Sequence, residues 1–447
     1  MTTSVEIRRD QTAAGAYEST LVWLYRLEVT SGIDLKLERV REAAAALGHP
    51  EHAAPAFHIA GTNGKGSTAA MLAAMLAAAG RRVGLYISPH LVSFRERIVV
   101  DGMPTTEDEV VEGVARIRST LGDRFALTCF EAITLLAWCT FAARRVDVQV
   151  LEVGLGGRLD ATNLVVPEVA IVTNVDLDHQ EYLGTNIETI AAEKAGIIKP
   201  RVPVVSGATG LAAAVVAARA EALASPLHEL GRDFALGPGV EGDLVYRSPA
   251  GVIAPLELAL TGVHQQHNAA LAVRALEVVP SFAPTAAAVR AGLAGVNWPG
   301  RLQVVRAEPL VVLDGAHNAA AVEVVAREVR SLAAGRPVRV LFGVMRDKDW
   351  QAMLRSLSGL ASEIVLTRPR QPRSADPVEM AAAVRIPVRV RPDPLEAYRH
   401  IVETSAAGDV VLVTGSLFLI GDVLPAVAPD LASEADRART AARLAGR

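Results

Sequence analysis

The segment Gly61-Thr-Asn-Gly-Lys-Gly-Ser-Thr68 constrains this chain more than any other stretch. An apolar run at 56–60 precedes it and an alanine-rich helical run at 69–79 follows. Strand, glycine turn and helix is the setting in which a loop holds phosphates. Backbone N–H groups converge in the turn, and the helix N-terminus adds the positive end of its dipole. Lys65 supplies a full charge for the outer phosphates. The spacing departs from Gly-x4-Gly-Lys-Ser/Thr, because Ile59 stands where the first glycine is expected. A plain Gly/Asn/Ser turn is the bland alternative, and the flanking strand and helix argue against it. The loop indicates a nucleotide without naming a reaction.

At 447 residues the chain exceeds one ordinary domain. The longest apolar run in its middle, 132–143, falls well short of the ~20 residues of a membrane span. The first ten residues lack the apolar core of a signal peptide. Cys129 and Cys139 are too few for a zinc site and are expected to stay reduced in a helix. A formal charge of −4 with interspersed signs offers no basic face for nucleic acid. The expectation is a cytoplasmic monomer with neither a membrane nor a nucleic-acid partner.

Short β-branched runs at 83–87, 148–153, 169–173 and 202–206 alternate with helical stretches, which predicts an α/β fold on a parallel sheet. Residues 226–260 break the rhythm and read as appended antiparallel hairpins. A Gly/Asn/Trp/Pro cluster at 294–299 reads as a hinge. A second β/α series follows, with strands near 310–313, 338–342, 364–367, 386–390 and 410–414. Pro387 limits the fourth of these to an edge. The expected division is an ATPase-type domain at 1–297 and a Rossmann-like domain at 298–447. The final stretch, 432–447, reads as a frayed helical tail.

Polar clusters stand at the C-terminal ends of expected strands, where open α/β sheets hold ligands. The first runs from Glu152 to Asn163. A carboxylate in so apolar a strand needs a partner, either a magnesium ion or, structurally, Arg158. The second cluster is Thr173-Asn-Val-Asp-Leu-Asp-His179, where a satisfied core histidine is the bland reading. Glu193-Lys194 taken alone reads as a solvated helix face. Asp314-Gly-Ala-His-Asn318 closes a strand of the second series, with Pro299-Gly-Arg301 before it and Thr414-Gly-Ser416 after the last strand. His264 and His267 lack a carboxylate or cysteine to complete a zinc set. The charges of the loop 343–349 read as solvated.

Together, Gly61–Ser67, Ser88-Pro-His90, Leu151–Asn163, Asp178-His179 with Leu183-Gly184, Glu193–Ile197, Asn268, Pro299–Arg301 and Asp314–Asn318 form an ordered set. In order and spacing, from about residue 32 to 416, the set closely resembles folylpolyglutamate synthase/dihydrofolate synthase of the Mur ligase superfamily. The resemblance implies an ATP-dependent amide ligase. A pteroyl or folyl carboxylate takes the γ-phosphoryl group, and the amine of L-glutamate then displaces phosphate. Because an anion must approach a triphosphate, cations must neutralise the phosphoryl oxygens.

On this resemblance Thr62, Asn63, Gly64, Lys65, Gly66 and Ser67 hold ATP, joined by Asn268 and, from the second domain, Arg301 and Asp314. Ser88, Glu152 and His179 hold Mg2+, of which two ions are implied. Lys194 matches a position carbamylated in family members. His317 and Ser416 match positions near the incoming glutamate, and Lys65, Lys194 and His317 are the catalytic candidates. Ile33, Asp34, Leu35, Thr128, Leu159, Asp160 and Ala161 match a dihydropteroate site, so a bifunctional enzyme acting on dihydropteroate and folates is expected. Two residues depart from the family: Ala319 replaces a usual proline, and Lys36 a common glycine on the pterin-side loop. A peptidoglycan Mur ligase shares the loop logic but usually carries threonine where Gly66 stands. A monofunctional folylpolyglutamate synthase and a non-enzymatic nucleotide switch also compete with the bifunctional reading.

Overall fold

The computed structural model describes residues 3–32, 34–122, 125–240 and 242–427. The expectations for Ile33 and for a helical tail at 432–447 lie outside the described residues. The chain forms two compact units. The first takes the chain to Ala259 together with Gln266–Val296, and the second takes Leu260–Gln265 and the chain from Asn297.

The first unit contains β1 (Ala56–Ala60), β2 (Val83–Tyr86), β3 (Ile98–Val100), β4 (Met103–Pro104), β5 (Val148–Glu152), β6 (Val169–Val172), β7 (Val204–Ser206) and β8 (Leu227–Glu229). They form one sheet in the order β4-β3-β2-β5-β1-β6-β7-β8. Strands β2, β5, β1, β6, β7 and β8 run parallel, and β3 and β4 add an antiparallel corner. Central β1 and β5 are buried along their whole length, which is why they read as continuous apolar runs rather than alternating ones.

The region 226–260 is only partly the antiparallel appendage expected. β9 (Ala235–Pro238), β10 (Leu244–Ser248) and β11 (Gly251–Leu256) do make a separate antiparallel sheet. β8, however, pairs parallel with β7 and extends the main sheet, because the helix Gly210–Ala222 supplies a crossover before it.

On one side of the sheet the helix Cys129–Arg144 is apolar around its circumference. Trp138, Leu135, Leu136 and Ala137 are all buried in a core shared with Val110, Val114 and Ile117 of the helix Glu107–Leu121 and with Tyr17 and Leu21 of the helix Thr3–Ser31. A helix without a polar face must lie inside. Cys129 and Cys139 are both free, as expected.

The second unit contains β12 (Gln303–Arg306), β13 (Leu310–Leu313), β14 (Val338–Phe342), β15 (Glu363–Leu366), β16 (Val388–Val390) and β17 (Val410–Thr414). Their order is β12-β13-β17-β14-β15-β16, parallel except for β12. β16 lies at the edge directly after Pro387, whose carbonyl accepts from Ile364 N–H at 3.0 Å and whose missing N–H is tolerated on an edge strand. β12 was not legible as a strand: its residues alternate between half-buried and exposed, and it pairs on only one side.

Candidate active site

In the first unit, β1 ends at Ala60 and the turn from Gly61 leads directly into the helix Lys65–Ala78. Two glycines are dictated by space as well as by backbone angle. A Cβ on Gly61 (φ 151°) would stand 1.8 Å from Thr173 Oγ1, and one on Gly64 (φ 83°) would stand 2.4 Å from Asn268 Oδ1. The second contact puts Asn268, expected from sequence to join the phosphate loop, against it. Residues 173–176 brace the turn from the other side. Asn63 N–H donates to Asn174 Oδ1 at 2.8 Å, Thr173 Oγ1 donates to the Asn63 carbonyl at 2.6 Å, and Thr62 Oγ1 accepts from Asp176 N–H at 2.9 Å. Gly66 and Ser67 are buried in the first helical turn.

Two lysine ammonium nitrogens share one carbonyl oxygen in this loop. Lys65 Nζ and Lys194 Nζ each donate to the Gly61 carbonyl at 2.9 Å, and Lys65 also reaches the Thr62 carbonyl at 3.1 Å. Lys194 is 4% exposed. Burial, reinforced by the Lys65 charge and opposed by Asp178, lowers its pKa to about 7. The solvated helix face expected from Glu193-Lys194 is therefore wrong for Lys194, because the helix Ile187–Ala195 turns this residue inward. Glu193 is not its partner either. Its carboxylate takes Arg158 Nε at 3.0 Å and Nη2 at 2.8 Å.

Arg158, the structural partner considered for Glu152, makes this pair with Glu193, while Glu152, 5% exposed at the end of β5, accepts from Ser88 N–H at 3.1 Å. Ser88 and Glu152 are thus brought together. Asp178 and His179 follow β6, and Asp178 Oδ1 accepts from His179 N–H at 2.8 Å. The oxygen-rich donor set suits a hard divalent cation.

The pterin-side candidates are linked by a network in which Arg39 was not foreseen from the sequence. Arg39 Nη1 donates to Asp34 Oδ2 at 3.1 Å, and its Nε donates to Glu131 Oε2 at 2.8 Å. Glu131 in turn accepts from Thr128 N–H at 2.7 Å, while Thr128 Oγ1 caps the helix Cys129–Arg144. Thr128-x-x-Glu131 is a capping box visible in the sequence; Arg39 carried no such signal. Asp160 is buried and raised in pKa by that burial. Its carboxylate accepts from the N–H groups of Gly154 (3.0 Å), Leu155 (2.9 Å) and Thr162 (3.0 Å), which fixes the loop carrying Leu159 and Ala161. Leu35 and Lys36 follow Asp34, with Lys36 Nζ 3.4 Å from Asp34 Oδ1.

In the second unit, Asp314 follows β13. It is buried, and burial raises its pKa against the pull of Arg301. Its two oxygens accept from Leu302 N–H at 2.9 Å and Ala316 N–H at 2.8 Å. His317 Nδ1 lies 3.0 Å from the Gly315 carbonyl, an acceptor, so Nδ1 is the nitrogen placed to donate there. Asn318 caps the helix Ala319–Ala333, and Ser416 Oγ accepts from Leu419 N–H at 2.9 Å ahead of the helix Leu417–Val427. Ala319 occupies the first helical position, where proline and alanine are both accepted. Asp347, in the loop 343–349, pairs with Arg373 at 3.6 Å. His264 and His267 form no metal-type cluster among the described residues.

Comparison with known proteins gives a consistent family. Residues 59–276 match the Mur ligase middle domain, and residues 300–417 match the Mur ligase, glutamate ligase domain. The dihydrofolate synthase/folylpolyglutamate synthase of Bacillus subtilis is 35% identical over 91% of this chain and 98% of its own. The structure of E. coli FolC in complex with DHPP and ADP superposes with a TM-score of 0.86 at 35% identity, covering 91% of this chain and 97% of that one. A bifunctional folylpolyglutamate synthase/dihydrofolate synthase with Mn, AMPPNP and L-glutamate bound gives a TM-score of 0.83 at 34% identity, with 92% and 98% coverage.

Proposed function

The chain belongs to the dihydrofolate synthase/folylpolyglutamate synthase family of Mur ligases, and from that premise we propose how its residues divide the work. It is an ATP-dependent ligase that joins glutamate to folates. The finer reading is a bifunctional enzyme that also converts dihydropteroate to dihydrofolate, with Mg2+ as its divalent ion. The single observation that carries the assignment of residues is the pair of lysines on one carbonyl, held at the mouth of a glycine loop.

Residues 62–67 hold the triphosphate, with Lys65 leaving its loop carbonyls for the outer phosphates. Asn268, Arg301 and Asp314 serve the nucleotide. Ser88, Glu152 and His179 would hold a divalent cation: Glu152 is a buried carboxylate at the end of an apolar strand, with Ser88 N–H donating to it. When bound, such an ion neutralises phosphoryl oxygens so that an anionic carboxylate can approach. Two ammonium groups on one oxygen, Lys194 buried and Lys65 half-buried, repel each other. Carbamylation of Lys194 replaces one with an anion and adds a cation ligand.

The pteroyl or folyl carboxylate, oriented through residues 33–35, Thr128 and 159–161, attacks the γ-phosphorus. The bond to ADP breaks and an acyl phosphate forms. The glutamate amine, near His317 and Ser416, attacks the acyl carbon. Phosphate leaves, and the amine proton passes to an acceptor such as His317 Nε2.

The test is phosphate release from ATP and Mg2+ by purified protein. The expected result is release that requires glutamate and either dihydropteroate or a reduced folate. Release with folates alone would reduce the protein to a monofunctional folylpolyglutamate synthase. Mass measurement of native protein should show the added carboxyl group on Lys194, and an unmodified lysine in active enzyme would overturn that part.

A further inference from the structure

Glu51 sits in the turn Pro50–His52, ahead of β1, and is 5% exposed. His49 Nδ1 stands 2.9 Å from Glu51 Oε1, and His52 Nε2 stands 3.6 Å from the same oxygen. The imidazoles face each other, with centroids 5.5 Å apart and planes inclined by 15°. One ligand atom from each residue lies within 4.8 Å of the others, the only such group of histidine, cysteine and carboxylate side chains among the described residues. The second carboxylate oxygen, Oε2, is buried and has no hydrogen-bond partner.

We propose that His49, Glu51 and His52 form a structural binding site for a divalent transition-metal ion of the zinc class, separate from the ligase chemistry. A tetrahedral ion bound at about 2.0–2.1 Å holds neighbouring ligand atoms about 3.3 Å apart. The two His–Glu separations, 2.9 and 3.6 Å, bracket that value. Two imidazoles and one carboxylate are a donor set that zinc, cobalt and nickel accept, and magnesium does not prefer it. A buried carboxylate is costly without a counter-charge, and a divalent ion on Oε1 supplies one more fully than an imidazole N–H can. The histidines are 53% and 64% exposed in their side chains, so an ion has access and a fourth ligand can be water.

The site is also anchored. Gln149 Nε2, on β5, donates to the carbonyls of Glu51 at 2.9 Å and Ala54 at 2.8 Å, tying the turn to the N-terminal edge of the sheet. The phosphate loop leaves the opposite end of β1. Five strand residues, about 16 Å, separate the two. The ion therefore acts as a staple on the approach to β1, and its loss leaves turnover intact.

The experiment uses the full chain, stripped with a chelator and free of nucleotide, titrated with Co2+ as a spectroscopic stand-in for zinc. The wild type should bind one equivalent that gives tetrahedral Co2+ absorption, and Zn2+ should displace it and raise Tm. His49→Ala and His52→Gln should each lose that equivalent and the Tm response. Their turnover with saturating ATP and Mg2+ should stay within about twofold of wild type. Glu152→Gln should keep the tetrahedral signal, which separates this site from the ligase cation. A wild type that shows no such signal, or variants that bind Co2+ with unchanged stoichiometry and spectrum, overturn the proposal. Should Glu51→Gln fail to fold, the two histidine variants, altered at exposed side chains, still decide.

Discussion

The two units both end parallel strands in a turn and a helix, and each satisfies a buried carboxylate with backbone N–H groups, Asp160 in the first and Asp314 in the second, yet they differ in how charges meet around the strand ends. In the second unit the carboxylate of Asp314 is satisfied by two backbone N–H groups, and Ser416 and Asn318 cap helices. These side chains hold their own loops in shape. In the first unit, like charges meet: Lys65 and Lys194 converge on one carbonyl, beside a phosphate-type loop, and Glu152 is buried at the end of an apolar strand with Ser88 N–H on its carboxylate. Like charges held this close are characteristic of functional sites. The first unit is thus arranged for charge chemistry, and the second for presenting a fixed loop.

The largest expected effect tests the first half of that contrast. Glu152→Gln keeps shape and removes charge, so it should cut turnover by roughly 10²–10³ with little change in Tm. Phosphate release and thermal unfolding measured on the same preparation check both. A melted protein with normal specific activity in its folded fraction would make Glu152 structural, and the contrast would fail.

Lys194 sharpens it next. Its folded pKa, about 7, lies below the ordinary lysine value of 10.5. Between those two values the unfolded chain binds the extra proton, so stability should rise with pH across this window. In nucleotide-free, carbon-dioxide-depleted protein the gain is about 1.4 kcal/mol per pH unit at most. Lys194→Met should abolish that slope and be the more stable protein at pH 7, while losing activity. Denaturant midpoints at pH 7 and 9 measure it, and parallel curves for the two proteins would refute the buried-amine reading.

The second unit should answer with stability. Asp314→Ala strands two buried N–H groups and is expected to cost about 1–3 kcal/mol, seen as a fall in Tm that Glu152→Gln does not share. The smallest effect belongs to Ser416→Ala, which removes a helix cap worth about 1 kcal/mol. It should raise KM for glutamate more than it lowers kcat. A severe kcat loss at unchanged stability would move Ser416 into the reacting centre and blur the distinction between the units.

The glycine loop, the β/α alternation and the ordered motifs were legible in the sequence because each depends on local chemistry. Gly61 and Gly64 are fixed by backbone angle and by neighbours that a Cβ would strike, and buried parallel strands announce themselves as apolar runs. Partner choice was not legible. Arg158 could have served Glu152 or Glu193, and Lys194 could have paired with its neighbour. Arg39, which bonds both Asp34 and, 92 residues away, Glu131, gave no sign of itself.

The sequence by itself therefore determined the α/β fold class, since periodicity acts over a few residues, and, through the resemblance of its ordered motifs, the family. Only the tertiary structure decided that β8 continues the main sheet, that the helix Ile187–Ala195 turns Lys194 inward, and that His49 and His52 close on Glu51. Burial and ion pairing depend on which distant segments converge, and a carboxylate's partner is chosen by distance in space, which sequence spacing does not encode.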